Sequence, residues 1–235
     1  KLKINTFGRM RWFWIVFFVL PLVAQGQVRS GYGVLTIGFR EYQRSLADRP
    51  ENRLVNLARS VPGLALDIRY ATTNNFMKEK MYSLPRAYAR QPVADALKKV
   101  QRELKKQGLG LLIYDAYRPY AVTVKFYETY RDTTYVASPY RGSKHNRGCA
   151  LDLTLINLKT RKELPMPTEF DSFQKEAWAT ADVPDPEKRR NRDLLISVMT
   201  KFGFKVYEPE WWHFDFAGWE QYDILDVSFE ELEQR

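Results

Sequence analysis

From Leu64 to Tyr70, the apolar residues Leu64, Leu66 and Ile68 alternate with Ala65, Asp67 and Arg69, the period of a half-buried strand. A polar loop over 71–81 follows. Pro92 sits where a first helical turn tolerates proline, and Val93, Ala96, Leu97, Val100 and Leu104 recur at helical spacing until Gly108. That pattern predicts an amphipathic helix with a basic outer face. Leu109 to Tyr114 reads as a buried strand ending at Asp115, and Pro119 opens a second helix through about Arg131, carried by Val122, Phe126 and Tyr130. The run Cys149 to Leu158 is apolar and β-branched, which predicts a central strand, whereas 165–173 is irregular. Pro184, Asp185 and Pro186 start a long helix containing Leu194, Leu195, Val198, Met199 and Phe202, closed by Gly203. Phe204–Tyr207 and Trp211–Phe216 complete the pattern as a hairpin. Strands and helices alternate without a regular βαβ period or internal repeat. The expected fold is therefore α+β, a single mixed or antiparallel sheet with helices packed on it.

The N-terminal part differs. Residues 27–59 are polar, carry Gly31, Gly33 and Gly38 and keep no period, so they read as a loosely ordered lead-in to a domain over 60–235. Ahead of them, Lys1, Lys3, Arg9 and Arg11 precede an apolar run from Trp12 to Ala24, followed by the small residues of Ala24-Gln25-Gly26. About 13 apolar residues fall short of the roughly 20 that a spanning helix needs, so 1–26 reads as a secretory signal peptide. The expected location is exported and periplasmic, with membrane contact only through this segment before cleavage. An uncleaved N-terminal anchor is the alternative.

The net charge of +9 raises nucleic acid as a partner. The export segment argues against it, and the expectation is no nucleic acid. Loss of 1–26 removes four of those nine charges and leaves +5, unexceptional beside an anionic envelope polymer. Ordinary Gly and Pro contents exclude collagen-like and low-complexity classes. A single cysteine, Cys149, excludes an internal disulfide and a four-cysteine zinc site.

Only two histidines are present. His145 lies in a loop seven residues before Asp152, and the chain can turn at Gly148 so that both reach one metal ion. Strand alternation puts Ala150, Asp152 and Thr154 on one face and Cys149, Leu151 and Leu153 on the other. An aspartate inside an apolar strand is costly to bury unless something positive compensates it. His213 lies in Glu210-Trp211-Trp212-His213-Phe214-Asp215, where Pro209 and the paired tryptophans disfavour a helix. His145, Asp152 and His213 together are ligands of the types zinc prefers, with a fourth position left open, and Glu210 is then a free carboxylate for hydrolysis. Singly, His145 also reads as a solvated loop residue and His213 as an aromatic-packed one. Cys149 as a nucleophile, or Ser143 with His145 as part of a serine triad, are weaker readings.

Ser143-x-His145-x-x-Gly148-x-Ala150-x-Asp152 together with Glu210-x-x-His213 resembles the signature of the zinc D-alanyl-D-alanine dipeptidases of the vancomycin-resistance type. These share the hedgehog/D,D-peptidase fold with zinc D,D-carboxypeptidases. The similarity extends to Tyr70-Ala71-Thr72-Thr73-Asn74-Asn75-Phe76, Tyr114-Asp115-Ala116-Tyr117-Arg118-Pro119 and Phe170-Asp171. It implies a cell-wall metallopeptidase with one zinc per chain on His145, Asp152 and His213. By the same resemblance a zinc-bound water hydrolyses D-Ala-D-Ala, with Glu210 as general base and later acid and Arg118 as oxyanion stabiliser. Asp171 would receive the substrate's amino group, and Ser143 lies near its carboxylate. Asp215 shares strand parity with His213 and is a candidate hydrogen-bond partner of a ligand imidazole, or a solvated charge. Arg118 has an alternative as a salt-bridge partner of Asp115. The connection from Arg118 to Ser143 is shorter than in the resistance enzymes, which bears on pocket closure and substrate length. A D,D-carboxypeptidase trimming stem peptides and a non-catalytic zinc-stabilised binding domain are the alternatives.

Overall fold

The computed structural model describes residues 27–234, so the signal peptide expected over 1–26 lies outside the described residues. The chain begins with an antiparallel ribbon of β1 (Gln27–Arg29) and β2 (Leu35–Ile37), followed by α1 (Phe39–Asp48). Next come β3 (Leu54–Asn56), α2 (Leu57–Ser60) and the two-residue strand β4 (Ala65–Leu66). β5 (Tyr88–Arg90) leads directly into α3 (Gln91–Lys105), then β6 (Leu109–Asp115) and α4 (Tyr120–Thr129). The second half contains β7 (Ala150–Asn157), α5 (Pro186–Lys201), β8 (Phe204–Tyr207), β9 (Glu210–Phe216) and α6 (Phe229–Glu233).

The central sheet has the order β4-β6-β7-β9-β8. β4 runs parallel to β6 and every other pairing is antiparallel, so the sheet is mixed, as the pattern predicts. The sheet is not single, however: β1–β2 and β3–β5 form two separate ribbons. β7, in the middle, is buried from Ala150 to Ile156, which explains its nearly continuous apolar sequence. α3 buries Val93, Ala94, Ala96, Leu97, Val100 and Leu104 against the core. Each fully buried Leu or Val there contributes about 1.5–3 kcal/mol. The long helix begins where Asp185 caps the backbone N–H groups of Glu187 and Lys188, with Pro186 in its first turn. Among the described residues, no helix is long and apolar enough to cross a membrane.

Two expectations need correction. The stretch 27–59 is not a loosely ordered lead-in: it holds β1, β2, α1, β3 and α2, and Leu54 and Leu57 are part of the core. Strands of three residues carry too little periodicity to register in the sequence, and β3 is specified by its pairing with β5, far along the chain. The strand expected over 64–70 is only Ala65–Leu66. It borders β6 at the sheet edge, and the chain then turns through a 3-10 segment, Arg69–Ala71, that buries Tyr70.

Candidate active site

A row of side chains runs across three adjacent strands. Asp115 of β6 is paired with Asp152 of β7, and Asp152 with His213 of β9. A register shift between Ile113 and Asp115 lets the first of these join the row. His145 comes from the turn preceding β7, a 3-10 segment closed by Gly148 at φ +70°. Glycine is favoured there, because the positive φ strains other residues and a Cβ would meet Leu54 Cδ2 at 2.6 Å, so that side chain would have to shift. The Ser143 hydroxyl accepts the His145 backbone N–H at 3.1 Å and so helps to hold the turn.

Sheet and turn bring one donor atom from each of His145, Asp152 and His213 within 4.8 Å of one another. His145 Nε2 lies 3.2 Å from His213 Nδ1, and these nitrogens lie 3.4 and 3.0 Å from Asp152 Oδ1. The outer faces of both rings fix their tautomers. His145 Nδ1 donates to the Ala116 carbonyl at 2.6 Å, and His213 Nε2 donates to Asp215 Oδ1 at 3.0 Å. A neutral imidazole that donates outward presents a lone pair inward. Two nitrogen lone pairs and a carboxylate oxygen thus face one point, and Asp152 Oδ1 is buried without a hydrogen-bond partner. Such a cluster of acceptors is repulsive unless a cation lies among them, and its donors suit zinc.

Without an ion, the same surroundings draw positive charge to this point. Burial works to raise the Asp152 carboxyl, but His145 and His213 outweigh it and hold it well below the usual carboxylate range. Burial disfavours the His213 imidazolium, yet Asp215 and Asp152 raise its pKa to about 10. Asp215 itself is held down at about 2, where His213 and Lys144 overcome its burial. The carboxylates flanking His213 therefore form a well of negative potential.

Glu210 stands beside these groups. Three residues before His213, it belongs to the opposite strand parity, but the register shift between Val206 and Tyr207 brings it to the same cavity. Its Oε2 is 3.6 Å from His213 Nδ1, and among the described residues its side chain has no hydrogen bond. Burial pushes this carboxyl up to about 8 against the pull of His213.

Arg118 realises the salt bridge to Asp115 that was its alternative reading, with Nε at 3.0 Å and Nη2 at 2.7 Å from Oδ2. It also lines the cavity, clamped over the rings of Phe126 at 4.7 Å and Tyr70 at 5.3 Å. Its Nη1 makes no hydrogen bond among the described residues, so the salt bridge leaves a donor in reserve.

The cavity has a volume of about 390 Å³. Asp171 lines it, with its carboxylate accepting the Tyr70 hydroxyl at 2.9 Å and the Phe76 N–H at 3.4 Å. No cation pairs with it among the described residues, and burial pushes its carboxyl up to about 7. Its φ of +62° is tolerated by aspartate better than by most residues. Ser143 lines the same cavity. Cys149 is buried and its thiol is pushed up to about 12 by that burial, the state of an inert core residue.

Sequence reasoning missed several contributors. Asp115 was read only as a possible partner of Arg118, yet it also accepts the Tyr82 hydroxyl and the Ala116 N–H. Its signal was a charge at the end of an apolar strand. Asn146 is fully buried, donates to the Arg118 carbonyl and Thr123 Oγ1, and accepts from Ser143 N, tying the histidine turn to α4. Tyr70 touches Asp171 and Arg118 together, which no local pattern could reveal.

Comparison with known proteins places the chain in a family. Residues 50–230 match the family model described as D-ala-D-ala dipeptidase. The chain is 34% identical over 176 residues to the D-alanyl-D-alanine dipeptidase of Escherichia coli K12, covering 75% of this chain and 91% of that protein. It is 31% identical over 174 residues to the protein of the same name from Enterococcus faecium, covering 66% and 86%. Among solved structures, the LdcB LD-carboxypeptidase is similar over 57% of this chain and 61% of that one, at 22% identity and a TM-score of 0.38. The extent of the family match, which spans every site residue from Tyr70 to Asp215, establishes that the chain is a peptidase belonging to the D-Ala-D-Ala dipeptidase family.

Proposed function

We propose that this protein is a zinc-dependent dipeptidase that hydrolyses D-Ala-D-Ala. The observation that carries the reading is the convergence of three inward-facing lone-pair donors, one of them an orphaned buried oxygen, beside a buried carboxylate that is not among them. His145 Nε2, Asp152 Oδ1 and His213 Nδ1 would hold the ion. Bound there, zinc would supply Lewis acidity that polarises a carbonyl and makes a water acidic enough to ionise near neutral pH.

The chain's own residues do the rest. Glu210, buried beside the three donors and free of other hydrogen bonds among the described residues, takes a proton from the attacking water and returns it to the departing amine. Arg118 offers Nη1 to the oxygen on which negative charge develops, while Asp115 and the two aromatic rings keep its plane fixed. Asp171 is a buried carboxylate lacking a cation, and a substrate ammonium supplies one. Because that amine belongs to the residue carrying the scissile carbonyl, Asp171 favours a dipeptide over a longer stem peptide. The Ser143 hydroxyl, which accepts from His145 N, keeps its proton for the substrate carboxylate. The basic, apolar and small-residue layout of 1–26 supports work on the far side of a membrane.

The test is a comparison of D-Ala-D-Ala with a tripeptide and a pentapeptide ending in it, with and without a chelator. The dipeptide is expected to be cleaved fastest, with activity lost to the chelator and restored by zinc. Pentapeptide trimming without dipeptide cleavage would make the protein a D,D-carboxypeptidase. Zinc binding without any hydrolysis would make it a binding domain.

A further inference from the structure

The residue between Ser143 and His145 reaches the other histidine. Lys144 Nζ donates to Asp215 Oδ2 at 2.7 Å, while Asp215 Oδ1 accepts from His213 Nε2 at 3.0 Å. The two oxygens of one carboxylate thus have separate partners. No other side chain hydrogen-bonds that carboxylate among the described residues: Lys205, opposite Asp215 on β8, makes no ion pair with it. The Lys144 ammonium also lies 5.3 Å from the centroid of the Trp219 ring, a second contact that restrains it.

The backbone of Lys144 is equally engaged. Its carbonyl accepts the N–H groups of Arg147 and Cys149, closing the turn from which His145 projects. One residue therefore fixes the turn of the first histidine through its main chain and the carboxylate behind the second through its side chain. With Oδ2 held, the Asp215 carboxylate cannot rotate away, Oδ1 stays on Nε2, and the Nδ1 lone pair stays directed at Asp152 and His145. Without Lys144 the carboxylate would keep a single side-chain hydrogen bond, the one from His213 Nε2.

We propose that Lys144 is a positioning residue of the metal centre, orienting His213 through Asp215. This rests on the zinc reading above and extends it to a residue outside the ligand set. Lys144 is 33% exposed, and methionine keeps most of the length of its apolar stem, so Lys144→Met removes the charge while leaving most of the packing. Partners at this remove from a metal typically change affinity by about 10- to 100-fold.

The test measures zinc Kd by chelator competition on the purified protein, together with the cobalt(II) absorption spectrum. Lys144→Met is expected to raise Kd about tenfold or more and to shift the cobalt bands, whereas Lys144→Arg should stay within about threefold of wild type. In an Asp215→Asn background, Lys144→Met should change nothing further, because the path runs through that carboxylate. Wild-type zinc binding with less than a threefold change in Lys144→Met would overturn this proposal alone, as would an undiminished effect in Asp215→Asn. A merely structural salt bridge would lower the melting point of the metal-free protein and leave Kd unmoved, which also overturns it. Failure of the wild type to bind zinc would overturn the proposed function as well.

Discussion

His213 stands directly across from Asp152 in the antiparallel register of β7 and β9, with Nδ1 3.0 Å from Oδ1. Two of the three donors are therefore set by a main-chain ladder in the middle of the sheet. A one-residue slip of either strand would carry its side chain to the opposite face and dismantle the centre. The third donor, His145, depends on a turn, and that turn is held by Ser143, Gly148 and Asn146.

Glu210→Gln keeps the shape of the side chain and removes its basicity. Turnover of D-Ala-D-Ala is expected to fall by about 10²–10⁴-fold with zinc still bound. Parallel assays of hydrolysis and metal content check this. Loss of the metal in this variant would mean that Glu210 serves as a ligand.

Arg118→Ala is expected to cost about 10²–10³ in kcat through loss of the oxyanion donor. It should also destabilise the fold by about 3–5 kcal/mol, because Asp115 would remain as a buried charge without its partner. Steady-state kinetics and urea melts separate the two effects. A loss of stability without a loss of kcat in the surviving folded protein would reduce Arg118 to the salt bridge alone.

Asp171 gives a pH signature. Its carboxyl titrates at about 7 in the folded chain, against 3.8 ordinarily. Below the lower value both folded and unfolded chains carry the proton, and burying it costs little. As pH rises toward 7 the unfolded chain ionises first, so stability falls, and the cost is complete above 7. Asp171→Asn is therefore expected to be more stable than wild type at pH 8, by about 2–4 kcal/mol, with the difference vanishing near pH 4. Urea melts at both values test the sign. The same variant should raise the KM for D-Ala-D-Ala, since the ammonium loses its partner.

How far the sequence carried this picture depends on the range of the interactions. α3 and α5 follow from helical spacing, and β6 and β7 from apolar runs that match strands buried on both faces. The strands β1, β2 and β3 do not, since three residues cannot express a period. At the site, Asp152 and His213 were legible because polar residues stood among apolar strand neighbours, whereas His145 was singled out as the other of only two histidines and Glu210 as a carboxylate three residues before His213. Lys144, Asn146 and Tyr70 were not, because their partners lie far along the chain: Asp215, Arg118 and Asp171. Lysine in a loop has an ordinary explanation, and only the fold shows which carboxylate it meets.

Gly148 links the corrected N-terminal region to the turn that carries His145. At φ +70°, alanine would cost about 1–2 kcal/mol in backbone strain, and its Cβ would also press on Leu54 of β3. Gly148→Ala is expected to lower Tm by roughly 2–8 °C for a domain of this size. Differential scanning calorimetry checks this, and an unchanged Tm would show that the turn accepts a side chain at this φ and that Leu54 yields to it.

The central claim concerns which atoms hold the metal, and X-ray absorption at the zinc edge of the purified protein tests it most directly. The expected first shell has two imidazole nitrogens at about 2.0–2.1 Å and carboxylate or water oxygen at about 2.0–2.2 Å, with His213→Ala removing one imidazole or the metal altogether. A sulfur scatterer at about 2.3 Å, or a shell of oxygens without imidazole, would contradict a centre built from His145, Asp152 and His213.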